Sequence, residues 1–233
     1  MTSSLPAVGT LTAEGPALEG VLLDMDGTLV DTEDFWWDAE VEAFAELGHE
    51  LREEWRSVVV GGPMARSAGF LIEATRAEIG LEELSVLLNR KFIQRVERGV
   101  PLMPGARRLL TELTAQGIPA ALVSASHRTV VDRMLVSLGR EHFRFTLAGD
   151  ELPRTKPHPD PYLAASGRLG ADPARCAVLE DTATGVASAE AAGCPVVAIP
   201  SLAPIEPALG RTVVRSLEEV DLSFLRSLVA MSG

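Results

Sequence analysis

No apolar run in the 233-residue chain approaches the roughly 20 residues that a helix needs to span a bilayer, so no membrane partner is expected. Basic residues are also scarce: 21 Lys and Arg stand against 33 Asp and Glu, giving a formal charge of -12 and a pI near 4.8. Binding a nucleic-acid backbone depends on clustered cations, so nucleic acid is not an expected partner. Cysteine is nearly missing. Cys176 and Cys194 adjoin apolar strand-like runs, where a free thiol behaves as a small hydrophobe. A chain of this length buries about 70% of its unfolded surface and needs no disulfide or structural metal to fold, so a reduced, cytoplasmic setting is expected. Residues 1–16 lack the basic start and apolar centre of a signal peptide, and 1–17 reads as a loose tail rich in Ser, Thr, Gly and Pro. There is no internal repeat or low-complexity tract.

What is present is organised around Val21-Leu22-Leu23-Asp24-Met25-Asp26-Gly27-Thr28-Leu29-Val30, an apolar run that breaks off into two carboxylates, a glycine and a threonine. A short apolar run bounded by turn chemistry reads as a buried parallel strand, and open α/β sheets bind ligands at the carboxyl ends of such strands. Two Asp side chains at one strand tip repel each other unless a cation or a shared proton intervenes. Mg²⁺ suits the place, because it takes oxygen ligands, needs only one or two carboxylates and keeps positions for phosphate oxygens. A solvated turn is the competing reading of these five residues.

Helical patterning dominates from Asp31 to about residue 100, with helices expected near 34–47, 51–58, 65–79 and 81–96, each with an apolar stripe. Four helices without an intervening strand do not belong to an alternating βα pattern, so 34–99 is expected to form an inserted helical cap. Beyond it, strands expected at 120–123, 143–148, 176–179, 196–199 and 212–214 alternate with helices at 104–116, 127–138, 159–169, 183–192 and 220–229. The fold class is therefore α/β: a Rossmann-like parallel-sheet core, residues 18–33 and 100–233, carrying the cap.

Three further stretches end in chemistry. Val123-Ser124-Ala125-Ser126 places hydroxyls between a strand and a helix, where free N–H groups meet anions; a Ser there also serves as an ordinary helix cap. In Thr155-Lys156-Pro157-His158-Pro159, prolines stiffen the loop around one Lys, a compact charge suited to a phosphate oxygen or a carboxylate, while His158 belongs to the turn. Val178-Leu179-Glu180-Asp181 ends a strand in two acids; a helix cap explains Asp181 but explains Glu180 poorly.

These four segments, in this order, resemble the four motifs of the haloacid dehalogenase superfamily over roughly residues 18–200, with a helical cap between the first and second motifs as in its C1-capped branch. The resemblance implies that Asp24 is a nucleophile forming an aspartyl-phosphate and that Asp26 protonates the leaving oxygen and then activates water, with Thr28 steadying Asp26. It implies a Mg²⁺ held by Asp24, the Asp26 carbonyl and Asp181, with Glu180 as ligand or supporting acceptor. It also implies that Ser124, the Ala125 N–H and Lys156 grip the phosphoryl group. Dehalogenases and phosphonoacetaldehyde hydrolases lack an acid at the place of Asp26, which favours phosphoryl transfer. A β-phosphoglucomutase-like enzyme carries a His where this chain has Trp36, so a phosphatase of a small phosphorylated metabolite is preferred over a phosphomutase. A non-catalytic phosphometabolite-binding protein is the alternative of another class. Substrate choice is expected in the cap loop around residues 60–67, with Arg66 reaching a distal group, and at Trp36 or Trp37.

Overall fold

The computed structural model describes residues 17–59, 64–97 and 99–232. Six strands, β1 (Gly20–Leu23), β2 (Ala120–Val123), β3 (Phe145–Leu147), β4 (Cys176–Glu180), β5 (Val196–Ala198) and β6 (Arg211–Val213), form one sheet in the order β3-β2-β1-β4-β5-β6. Every pairing within it is parallel. The chain runs outward from β1 to β3 and then returns to lay β4 on the other side of β1. That reversal opens a crevice at the carboxyl ends of β1 and β4, the position where parallel sheets bind ligands.

The strands are apolar throughout because both faces are covered, and their alternating side chains enter two different cores. Val21, Leu23, Leu122, Ala177 and Leu179 pack with residues of α5 (Ala106–Ala115), α6 (Arg128–Leu138) and α9 (Leu222–Ser232). Leu22, Ala121, Val123 and Val178 point the other way, onto Tyr162 and Ala165 of α7 (Asp160–Leu169) and Val186 and Ala189 of α8 (Ala183–Ala191).

Between β1 and β2 lie α1 (Glu33–Glu46), α2 (Arg56–Val59), α3 (Met64–Thr75) and α4 (Leu81–Val96). Trp37, Phe44, Leu71, Leu84 and Leu88 give these helices a core of their own. Lys91 of α4 ties into α1 through Glu42 at 2.7 Å and through Glu46. Phe92 and Val96 at the end of α4 join the sheet's first core, which roots the insertion on the sheet.

Several boundaries differ from the sequence expectation, among them the helix expected at 51–58, whose α-helical part is Arg56–Val59. Helix α3 stops at Thr75, because Arg76 adopts a left-handed backbone (φ 58°) that ends the helix four residues before Gly80. Helix α5 begins after Gly105 rather than at Pro104, and β3 is confined to Phe145–Leu147. Cys176 and Cys194 are buried free thiols, and burial pushes both up to about 12.

Candidate active site

The tips of β1 and β4, the loop after β2 and the loop before α7 meet at a cavity of about 370 Å³. Asp24 leaves the end of β1, Asp181 follows the end of β4, and Lys156 reaches in from the loop before α7; all three line the cavity and are buried. Gly27 lets the loop after β1 lie against the Asp181 carboxylate. Its φ is 80°, and a Cβ there would sit 2.1 Å from Asp181 Oδ2, so only glycine fits both the conformation and the space.

All three protons of the Lys156 ammonium are engaged: it donates to Asp24 Oδ1 at 2.6 Å, to Glu180 Oε1 at 2.6 Å and to the Val123 carbonyl at 2.8 Å. Tyr162, fully buried, donates to the same Glu180 oxygen at 2.7 Å. Thr182 donates to Glu180 Oε2 from its hydroxyl at 3.3 Å and from its N–H at 3.4 Å. Gly185 leaves room for this acid, since a Cβ there would lie 1.8 Å from Glu180 Oε1. Asp181 is held by Ser201 at 2.6 Å and by Thr28 at 3.2 Å.

Three buried carboxylates thus face one ammonium, and oxygens of Asp24, Glu180 and Asp181 lie within 4.8 Å of one another. Burial, partly offset by Lys156, pushes Asp24 up to about 7. Burial, with the added repulsion of Asp24 and Glu180, raises Asp181 well above the usual carboxylate range. Burial also works against the charge on Lys156, but Asp24 and Glu180 outweigh it and raise its pKa. A site with this surplus of negative charge fits a divalent cation, which takes hard oxygen donors.

Asp26 has a different set of partners. Thr32 and Ser126 donate to it from their hydroxyls, each at 2.8 Å, and the Trp36 indole N–H donates at 3.3 Å. Thr28, expected to steady Asp26, bonds Asp181 instead; Thr32 does that work, because it caps α1 without bonding the helix and its hydroxyl is free to turn toward Asp26. Ser124 is buried and accepts the Ser126 N–H at 3.0 Å, while Ala125 and Ser126 line the cavity.

The helical insertion covers the cavity with Trp36 and Glu40 from α1, Ser67 from α3, and Ser85 and Asn89 from α4. Trp36 stacks on Phe92 with ring centroids 3.8 Å apart, which fixes its indole edge toward Asp26. Trp37 instead joins the core of the insertion, as the helical offset between neighbours requires. Arg66 does not reach the cavity. It is exposed and donates to the Val58 carbonyl at 3.2 Å, because its place on the first turn of α3 faces it along the helix surface. Residues 60–63 of the expected substrate loop, like most of the expected tail, lie outside the described residues.

Residues 18–193 match the family profile of the haloacid dehalogenase-like hydrolases. The chain belongs to that family. A bifunctional riboflavin kinase/FMN phosphatase of Arabidopsis thaliana is 32% identical over 184 residues; the alignment covers 78% of this chain and 48% of that longer protein. Hexitol phosphatase B of Escherichia coli (strain K12) is 31% identical over 183 residues, 77% of this chain and 82% of that one. Crystal structures of CbbY from Rhodobacter sphaeroides, one with phosphate and one with xylulose-(1,5)bisphosphate, superpose with TM-scores of 0.81 and 0.80. They are 26% identical and cover 89% of this chain and 99% of theirs.

Of the residues expected from the sequence, Asp24, Asp26, Ala125, Lys156, Asp181 and Trp36 line the cavity, while Glu180 and Ser124 are buried. Sequence reasoning missed Thr32, Ser126, Tyr162, Ser201 and Glu40. Ser126 stood inside a motif already singled out, and Thr32 lies in the turn that leads into α1; Tyr162 and Ser201 carried no local signal. Among the described residues, no helix is long and apolar enough to cross a membrane.

Proposed function

We propose that this chain is a Mg²⁺-dependent phosphatase that hydrolyses a small phosphorylated metabolite through an aspartyl-phosphate on Asp24. The observation that carries the proposal is the unlike anchoring of two carboxylates on one cavity: Asp24 is fixed by the Lys156 cation, Asp26 by two hydroxyls and an indole. Two acids in contrasting environments are suited to two roles, nucleophile and proton carrier. The phosphatase names of the Arabidopsis and Escherichia coli relatives support the reaction class.

In this reading Lys156 aims an Asp24 oxygen at phosphorus, and the Ala125 N–H and the Ser124 hydroxyl steady the phosphoryl oxygens. Asp24 displaces the leaving alkoxide, which takes a proton from Asp26. Asp26 then removes a proton from the water that hydrolyses the acyl phosphate and restores Asp24. Thr32, Trp36 and Ser126 hold Asp26 against the leaving oxygen. Asp24, Asp181 and the Asp26 carbonyl would hold the Mg²⁺, which when bound neutralises charge on the transferring phosphoryl group. Both oxygens of Glu180 already accept hydrogen bonds, so we assign it to positioning Lys156. Trp36 occupies the place of the mutase histidine and bonds Asp26, which favours hydrolysis over transfer to a second sugar hydroxyl. The cap would comprise residues 34–99 and close over the reacting atoms. Phosphate release from a panel of small phosphate esters, present with MgCl₂ and lost with EDTA, is the expected result; no release from any ester would refute the proposal.

A further inference from the structure

Among the described residues, the helical face of the cavity carries no cation, and the acceptors of Glu40, Ser67 and Ser85 stand there beside a single amide, Asn89. Glu40 is only 4% exposed, lines the cavity, and its Oε2 has no partner among the described residues. A buried polar oxygen left unpaired is destabilising, so its presence on a ligand cavity calls for a donor from outside the fold. The two serines on this face have their protons engaged: Ser67 donates to the Val59 carbonyl at 2.6 Å and Ser85 to the Leu81 carbonyl at 2.8 Å. Each has acceptor capacity left for a ligand. The basic side chains among the described lining residues are Lys156 and His127, both outside the helical insertion.

We propose that Glu40 determines specificity by accepting a hydroxyl proton from the alcohol part of the phosphate ester, so that the chain prefers monophosphates of polyhydroxylated alcohols to bisphosphates and phosphorylated acids. A second phosphate or a carboxylate would meet the acceptors of Glu40, Ser67 and Ser85 with no cation opposite. A hydroxyl satisfies them. This assignment rests on the phosphatase reading and departs from the bisphosphate held by the CbbY structure.

The test measures kcat/KM with MgCl₂ for hexitol and pentitol monophosphates, xylulose bisphosphate, phosphoglycolate, O-phosphoethanolamine and p-nitrophenyl phosphate. The full chain is compared with Glu40→Ala and Glu40→Gln. The unmodified chain is expected to favour the polyol monophosphates over the bisphosphate and the two ionic monoesters by about tenfold or more. Glu40→Ala should lower the ratio of polyol monophosphate to p-nitrophenyl phosphate turnover by on the order of 10- to 100-fold, mainly through KM, while Glu40→Gln, which keeps a carbonyl acceptor, retains more of it. A preference of the unmodified chain for the bisphosphate, phosphoglycolate or O-phosphoethanolamine overturns the proposal without recourse to any variant. So does an unchanged ratio in a folded Glu40→Ala. Absence of hydrolysis of every ester in the set, p-nitrophenyl phosphate included, would instead refute the phosphatase reading, which separates the two failures.

Discussion

Lys156 and Glu40 are both charged-type side chains buried at the same cavity, yet their surroundings are opposite. At the strand tips every Lys156 proton has an acceptor, and that lysine, Tyr162 and Thr182 occupy both oxygens of Glu180. On the helical face Glu40 has an oxygen without a partner among the described residues. A saturated network has one geometry, as an attacking carboxylate requires. An unsaturated face leaves the choice of partner to the ligand. The contrast separates the part of the site suited to chemistry from the part suited to recognition.

Substitutions on each side sharpen this contrast. Asp24→Asn should reduce turnover by on the order of 10³-fold or more while circular dichroism and the melting curve stay near those of the unmodified chain, since shape and most bonds persist. Lys156→Met should act on stability as well: it leaves Asp24 and Glu180 buried without their cation, at a cost of about 3–5 kcal/mol in denaturant unfolding. A cost under about 1 kcal/mol would show that the strand-tip network does not hold the fold together.

Glu40 behaves in the reverse sense. Burial raises it in the folded chain from an ordinary 4.5 to about 8, so the folded state holds the proton more tightly than the unfolded state does. Its contribution to stability is complete below about pH 4.5, declines as pH rises, and is lost by about pH 8. Glu40→Gln removes this decline, and unfolding free energies between those limits should fall less steeply in the variant, by up to about 1.4 kcal/mol per pH unit. Parallel pH profiles would mean that Glu40 already has a partner. The smallest effect is expected for Tyr162→Phe, which removes one buried hydrogen bond to Glu180 and should cost about 1–2 kcal/mol with a modest loss of turnover.

The strand that ends in Asp24, the alternation after residue 100 and the four chemical segments were legible because each is a local pattern: an apolar run, then turn residues or acids. Partner choice was not legible, because it is a property of the assembled sheet. Ser126 meets Asp26 across 100 positions and Thr28 meets Asp181 across 153, so nearness in the first motif wrongly suggested Thr28 as the partner of Asp26. Arg66 shows a related limit: residue type and a glycine-rich approach suggest reach, whereas in the structure the first turn of α3 leaves it exposed and bonded to the Val58 carbonyl. Trp36 was recognised at its place in α1, but its bond to Asp26 depends on stacking against Phe92, which is far away in the chain.

The division of labour between Asp24 and Asp26 is tested most directly by rapid-mixing kinetics of Asp26→Asn on two esters. p-Nitrophenolate leaves without needing a proton, so this variant should release a burst of about one p-nitrophenolate per active site and then turn over slowly, with the phosphoryl group retained on Asp24. An alkyl phosphate, whose leaving group needs that proton, should give no burst. Equal bursts from both esters, or steady turnover of both at the unmodified rate, would contradict the assignment of Asp26 as the proton carrier.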